Sequence, residues 1–141
     1  MYLCTMSEIK KVRVIQLPKI LDQRGNLSFI ENEDLKLPFR IARCYWIYDV
    51  PGGEHRGGHA FRNNDEFIIA LSGGFDVVVD DGKNRQTFSL NRSFYGLYVP
   101  RGLWREMINF STNSVAFVLS SIPYDATDYI RDYGQFKKMK L

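Results

Sequence analysis

His59, Glu66 and Arg105, with several further arginines, are the side chains whose types and spacing could do chemistry. An unperturbed imidazole titrates near pH ~6.5, so His59 could take a proton from a substrate at neutral pH. Glu66 is either a hydrogen-bonded strut or an acid. Arginine pairs with phosphate through two parallel hydrogen bonds; Arg24, Arg43, Arg56, Arg62, Arg101 and Arg105 are candidates. Of these, Arg62 reads most simply as a solvated charge, as do Arg85, Arg92 and Arg131. Phe61 follows His59 by two residues and reads as core or as a stacking wall. His55 lies in a glycine-rich loop and reads as solvent-exposed. Cys4 and Cys44 form no CxxC pair and are too few for a zinc site. Cys44 reads as a small buried hydrophobe.

These side chains must be held by strands. Val12 to Leu17, Leu27 to Glu31, Ile41 to Val50, Phe67 to Leu71, Phe75 to Asp80, Arg85 to Leu90, Tyr95 to Val99, Trp104 to Asn109 and Val115 to Ser120 are β-branched or aromatic segments divided by turn residues. Asp81-Gly82 is a strong hairpin signal between two of them. Turns every 8–12 residues suggest a sandwich or barrel. Only the end looks helical: Asp125 to Asp128 resembles a capping box, and Tyr129, Ile130, Tyr133 and Phe136 fit one helical face. The expectation is an all-β fold with a short C-terminal helix, formed by one domain over 11–141 after an N-terminal extension, 1–10.

A chain of 141 residues suits one domain. With 45% hydrophobic and 25% charged residues it has an ordinary globular composition. A net charge of only +3 argues against a dedicated nucleic-acid binder. No apolar run is long enough to span a bilayer, and the N-terminus lacks a signal-peptide apolar region, so a cytoplasmic location is expected.

From Gly53 the sequence runs through five residues to His59-Ala60-Phe61, then through four to Glu66 and through six to Gly73. That spacing resembles the first cupin motif, and Pro100 to Arg105 followed by Asn109 resembles the second. The resemblance implies a double-stranded β-helix, or jelly roll. On a strand, residues 59 and 61 face the same side, into the barrel, with Glu66 and Arg105 expected on adjoining strands. In metal cupins these four positions supply three imidazoles and a carboxylate. Here Phe61 cannot ligate and Arg105 repels a divalent ion, so no metal and no cofactor are expected. Arg105 inside a barrel is an expensive charge without an anion, which favours a ligand-binding role.

Arg43-Cys-Tyr-Trp-Ile47, Arg56-Gly-Gly-His59-Ala, Asp80-Asp-Gly82, Gly96-Leu-Tyr-Val99, Trp104-Arg-Glu-Met107 and Asp125-Ala-Thr-Asp-Tyr-Ile-Arg131 narrow the likeness. From about residue 10 to 137 the chain resembles the sugar 3,4-ketoisomerases, the FdtA, QdtA and WxcM-like cupins. The resemblance implies a metal-free isomerase that acts on TDP-4-keto-6-deoxyglucose, moving the carbonyl from C4 to C3, in deoxysugar synthesis for surface polysaccharides. It implies a homodimer with exchanged N-terminal strands. His59 matches the family's candidate base. Arg56 and Tyr98 match pocket positions, and Arg24 and Arg105 match positions that touch the sugar. The family's second histidine is Phe61 here. Arg105, Tyr98 or Glu66 could stand in for it. A nucleotide-sugar-binding cupin without this catalysis, and a 3,5-epimerase-like enzyme, remain alternatives.

Overall fold

The computed structural model describes residues 8–33 and 36–140. Residues 1–7 of the expected extension, Cys4 among them, lie outside the described residues. A 3₁₀ turn, Glu8–Lys11, leads into the first strand, and burial of Ile9 joins it to the core.

Among the described residues ten strands follow: β1 Arg13–Gln16, β2 Arg43–Ile47, β3 Arg56–Phe61, β4 Glu66–Ser72, β5 Phe75–Asp80, β6 Arg85–Leu90, β7 Tyr95–Val99, β8 Trp104–Ile108, β9 Val115–Ser120 and β10 Tyr129–Ile130. The helix α1, Tyr133–Met139, follows β10. The strands form two five-stranded antiparallel sheets, ordered β1-β7-β4-β9-β2 and β10-β3-β8-β5-β6. This is the expected all-β jelly-roll arrangement with a short C-terminal helix.

Alternation along each strand decides what each face meets. Ile68, Val118, Leu97, Val77, Val79 and Met107 point between the sheets and form the main core. β4 is buried on both faces because Phe67 and Ile69 on its outer side pack beneath Leu17, Leu37 and Phe39 of the N-terminal segment. The outer face of the second sheet is covered by α1, where Phe136 meets Ala60, Trp104 and Ile130. Asp132 caps α1 by accepting from the Gln135 N–H at 2.8 Å. Asp80, at the start of the β5–β6 turn, accepts from the Gly82 N–H at 2.6 Å and from the Tyr133 hydroxyl at 2.7 Å, tying helix to hairpin.

Several local expectations change. Leu27 to Glu31 is not a strand; its ordered backbone pairing is a single bridge, Ile20 with Leu27. β3, rich in glycine, is a strand that the residue preferences do not announce. Tyr129 and Ile130 are extended rather than helical, because they pair with Phe61 and Ala60 of β3. Cys44 is exposed, since it lies on the outward face of β2. Among the described residues no helix is long and apolar enough to cross a membrane.

Candidate active site

His59 is placed by a distorted strand. β3 pairs with β8 through Arg56 with Met107 and His59 with Arg105, and the register shifts between these two pairs. Gly57 makes the distortion feasible, with φ at +76°, where a side chain is disfavoured. A Cβ there would also overlap Nη1 of Arg105. The backbone therefore yields space for a guanidinium that lies directly beside the histidine.

Glu66 comes from the opposite sheet. β4 and β8 face each other across the sandwich, so the expectation of adjoining strands is corrected: the pair closes the gap between the two sheets. Arg105 Nε donates to Glu66 Oε1 at 2.8 Å, and Nη2 donates to Oε2 at 3.1 Å. The Tyr45 hydroxyl donates to Glu66 Oε2 at 2.5 Å and accepts from Arg105 Nη2 at 2.8 Å. Glu66 and Arg105 are each 1% exposed, so neither charge is screened by water. The anion that a buried Arg105 requires is thus Glu66 itself, and its charge does not call for a ligand. Burial opposes the charged guanidinium, but the Glu66 carboxylate and Tyr45 outweigh it, and the Arg105 pKa rises. Burial, followed by the negative charge of Glu66, raises the Tyr45 pKa, so that hydroxyl keeps its proton.

His59 is 7% exposed, and its Nε2 has no hydrogen-bond partner among the described residues. Its ring touches the edges of Phe61 and Tyr129, at centroid separations of 4.7 and 5.0 Å. Desolvation, then the positive charges of Arg105, Arg131 and Arg56, push its pKa down to about 2. The imidazole is therefore neutral, with a free nitrogen lone pair or N–H to offer. The donor set does not suit a divalent ion: Phe61 has no ligating atom, and both Glu66 oxygens are engaged by Arg105 and Tyr45.

A cavity of about 430 Å³ opens beside this group, lined by His59 and Arg105 at its floor and by Arg43, Arg56, Tyr124 and Arg131 toward its mouth. Arg43 lies against the rings of Tyr45 and Tyr124, 5.3 and 5.6 Å from their centroids, and its buried Nε has no partner among the described residues. Arg131 covers the Tyr129 ring at 4.3 Å and lines the cavity, which corrects its reading as a merely solvated charge. The arrangement can hold an anion at the mouth and present an imidazole to whatever is attached to it. A larger groove of about 670 Å³, on the outer face near Trp46 and Leu71, contains no basic group.

The fold thus brings together His59, Phe61, Glu66, Arg105 and Arg56. It does not bring Tyr98 or Arg24 to them within this chain. Tyr98 pairs with Phe67, so it lies on the outer face of its sheet, packed in the Leu37 and Phe39 cluster beneath Arg13. Arg24 lies on an exposed turn and pairs with Asp22 at 2.9 Å. Arg101, another phosphate candidate, is engaged by Asp65 at 3.0 Å. Tyr45 and Tyr129 are the side chains that sequence reasoning missed. Tyr45 stands in the quoted Arg43-Cys-Tyr stretch, where alternation with outward Cys44 and Trp46 is the available signal. Tyr129 was hidden by its apparent helical spacing.

Residues 10–141 match the family model described as FdtA, WxcM-like, C-terminal. The chain is 44% identical over 126 residues to a TDP-4-oxo-6-deoxy-alpha-D-glucose-3,4-oxoisomerase of Aneurinibacillus thermoaerophilus, covering 89% of this chain and 90% of that one. It superposes with a TM-score of 0.85 on the WlaRB TDP-quinovose 3,4-ketoisomerase of Campylobacter jejuni, at 41% identity and covering 92% and 98% of the two chains. With QdtA, a sugar 3,4-ketoisomerase of Thermoanaerobacterium thermosaccharolyticum crystallised with TDP, the TM-score is 0.88 at 33% identity, covering 92% and 93%. A matching model over almost the whole chain, a relative 44% identical over most of both chains and a shared fold converge: the chain belongs to the FdtA, WxcM-like family of sugar 3,4-ketoisomerases.

Proposed function

We propose that the chain is a nucleotide-sugar 3,4-ketoisomerase that converts TDP-4-keto-6-deoxyglucose to its 3-keto isomer without a metal. The observation that carries this reading is the buried His59, neutral and with Nε2 unpartnered, at the floor of an arginine-rimmed cavity. His59 takes the C3 proton and returns it to C4. Arg56 and Arg43 at the mouth receive the diphosphate, for which paired guanidinium donors are suited. Phe61 does not itself line the cavity; it backs the base, its ring 4.7 Å from that of His59. Glu66 is a positioning residue, because both its oxygens already hold Arg105 and Tyr45. Arg105 is held by Glu66, Tyr45 and the Gly57 carbonyl, which leave one Nη1 hydrogen to reach the sugar.

The protein acts as a cytoplasmic homodimer in deoxysugar synthesis for surface polysaccharides, with exchanged N-terminal strands. The segment after β1 supports the exchange: Ile20, Leu21, Leu27 and Phe29 are all exposed in the isolated chain, a surface that a second copy would cover. Arg24 sits on the turn of that same arm, so exchange would carry it toward the partner's cavity.

Incubation of the protein with TDP-4-keto-6-deoxyglucose in heavy water, followed by proton NMR, tests the reading. A 3-keto product deuterated at C4 is expected. Deuterium at C3 and C5 with the carbonyl unmoved would make it an epimerase. Nucleotide binding with no exchange would make it a binding module.

A further inference from the structure

Isomerisation moves two hydrogens, and His59 accounts for one of them. The carbon-bound hydrogen leaves C3 and arrives at C4. The oxygen-bound hydrogen leaves O3 and arrives at O4. The second transfer needs a group that can give and take a proton within reach of both oxygens. The family's second histidine position is Phe61 in this chain and can supply neither.

The candidates around the cavity narrow quickly. Arg105 is locked to Glu66 and stays charged. Glu66 accepts from Arg105 and Tyr45 on both oxygens, and the Tyr45 hydroxyl is committed to that pair. Tyr98 lies on the far side of its sheet. Tyr124 stands at the rim, 64% exposed, and does not touch His59. Tyr129 remains. Its ring packs edge-on against His59 at 5.0 Å and against Phe61 at 4.7 Å, and it lines the cavity. Its hydroxyl makes no hydrogen bond to the described residues. Arg131 lies 4.3 Å over its ring.

The placement of Tyr129 is firm. It follows Asp128, a buried carboxylate that accepts from the Asn63 N–H at 2.7 Å and the Asn64 N–H at 3.1 Å. The Arg62 N–H donates to the Asp128 carbonyl at 3.0 Å. Tyr129 then pairs with Phe61 and faces inward, while Ile130 faces the α1 side.

We propose that Tyr129 is the second catalytic residue of this enzyme and carries the oxygen-bound proton. In the first step His59 removes the proton from C3, and the C3–H electron pair forms the C3–C4 double bond. The C4 carbonyl pair goes to O4, which takes the proton of the Tyr129 hydroxyl. The result is a neutral enediol, an imidazolium and a tyrosinate beneath Arg131. In the second step the tyrosinate removes the proton from O3, the C3 carbonyl forms, and the double-bond pair takes the imidazolium proton at C4. Both side chains return to their starting states, and no oxidant or cofactor enters. One imidazole and one phenol therefore share the work, which lets Phe61 occupy the other histidine's position.

The proposal rests on the ketoisomerase reading, and a comparison of variants separates the two. Wild type, Tyr129→Phe, and Tyr129→Phe combined with Phe61→His are assayed on TDP-4-keto-6-deoxyglucose, with TDP affinity measured alongside. Tyr129→Phe keeps the ring and its packing. It is expected to lose about 100-fold in kcat, with KM and TDP affinity within about threefold of wild type. Adding the histidine is expected to restore at least tenfold, since residue 61 faces the same ring. A Tyr129→Phe turnover within about threefold of wild type overturns the proposal while leaving the ketoisomerase reading intact. A wild type that binds TDP but moves no carbonyl overturns both.

Discussion

In the proposed mechanism the base is a histidine kept neutral by its surroundings. Removal from water and the charges of Arg105, Arg131 and Arg56 lower the His59 pKa to about 2, far below the ordinary ~6.5. The kcat/KM profile reports the free enzyme, so it should show no acid limb with a midpoint near pH 6.5. Activity measured from pH 8 down to pH 5 is expected to stay level while the protein stays folded. Stability should behave differently. Below pH ~6.5 the unfolded imidazole binds a proton that the native one refuses, so stability present at neutral pH falls as pH drops through that value. Urea midpoints from pH 7.5 to 5 should decline in the wild type and decline less in His59→Asn. The buried pair beside it has a separate cost. Glu66→Gln leaves the Arg105 charge uncompensated at 1% exposure and is expected to lose about 3–5 kcal/mol in urea unfolding. Much of this scale was legible. His59, Glu66 and Arg105 stand at motif spacing and do converge. Their partnership was not legible, because only the fold shows that β4 and β8 face each other across the sandwich.

At the level of elements, the site depends on two joints: the bulge in β3 and the attachment of β10. Gly57→Ala puts a methyl group onto Arg105 Nη1 at a positive φ. It should displace the guanidinium and lower both stability and turnover, whereas Gly53→Ala, at a loop position with open space around it but also at positive φ, should cost only the backbone strain. Asp128→Ala removes the acceptor for two backbone N–H groups of the β3–β4 loop. The expected loss is about 1–3 kcal/mol, measured by urea denaturation, together with reduced kcat as Tyr129 loosens. The hairpin of β5 and β6 could be read from Asp81-Gly82 because local turn chemistry specified it. β3 could not, since Gly57 and Gly58 weaken any local strand preference and the strand exists for the tertiary contacts of Arg56, His59 and Phe61. Tyr129 and Ile130 have helix-like spacing, yet pairing with β3 overrides it.

The whole molecule presents an unequal surface. One outer face is covered by α1 and the other only partly by the N-terminal segment, with Trp46, Leu71 and Leu27 exposed near it. A homodimer would cover the N-terminal arm, so light scattering should give about twice the chain mass. Leu27→Asp is expected to shift the protein toward monomer and, if Arg24 serves the partner's cavity, to lower turnover with it. A monomeric wild type that is fully active would remove both the dimer and the role of Arg24. The sandwich itself was legible from strand spacing, because alternation and turn residues recur along the chain. Which outer faces are covered was not, since that depends on segments far apart in sequence.

In the proposed mechanism His59 alone carries hydrogen between the two carbons. Its most direct test follows TDP-4-keto-6-deoxyglucose in heavy water by NMR with wild type and His59→Asn side by side, while TDP affinity is measured for both. The wild type should give a 3-keto sugar deuterated at C4. The variant should bind TDP normally, with turnover and deuterium incorporation reduced by at least about 100-fold. Undiminished carbonyl migration in His59→Asn would mean that another group moves the hydrogen.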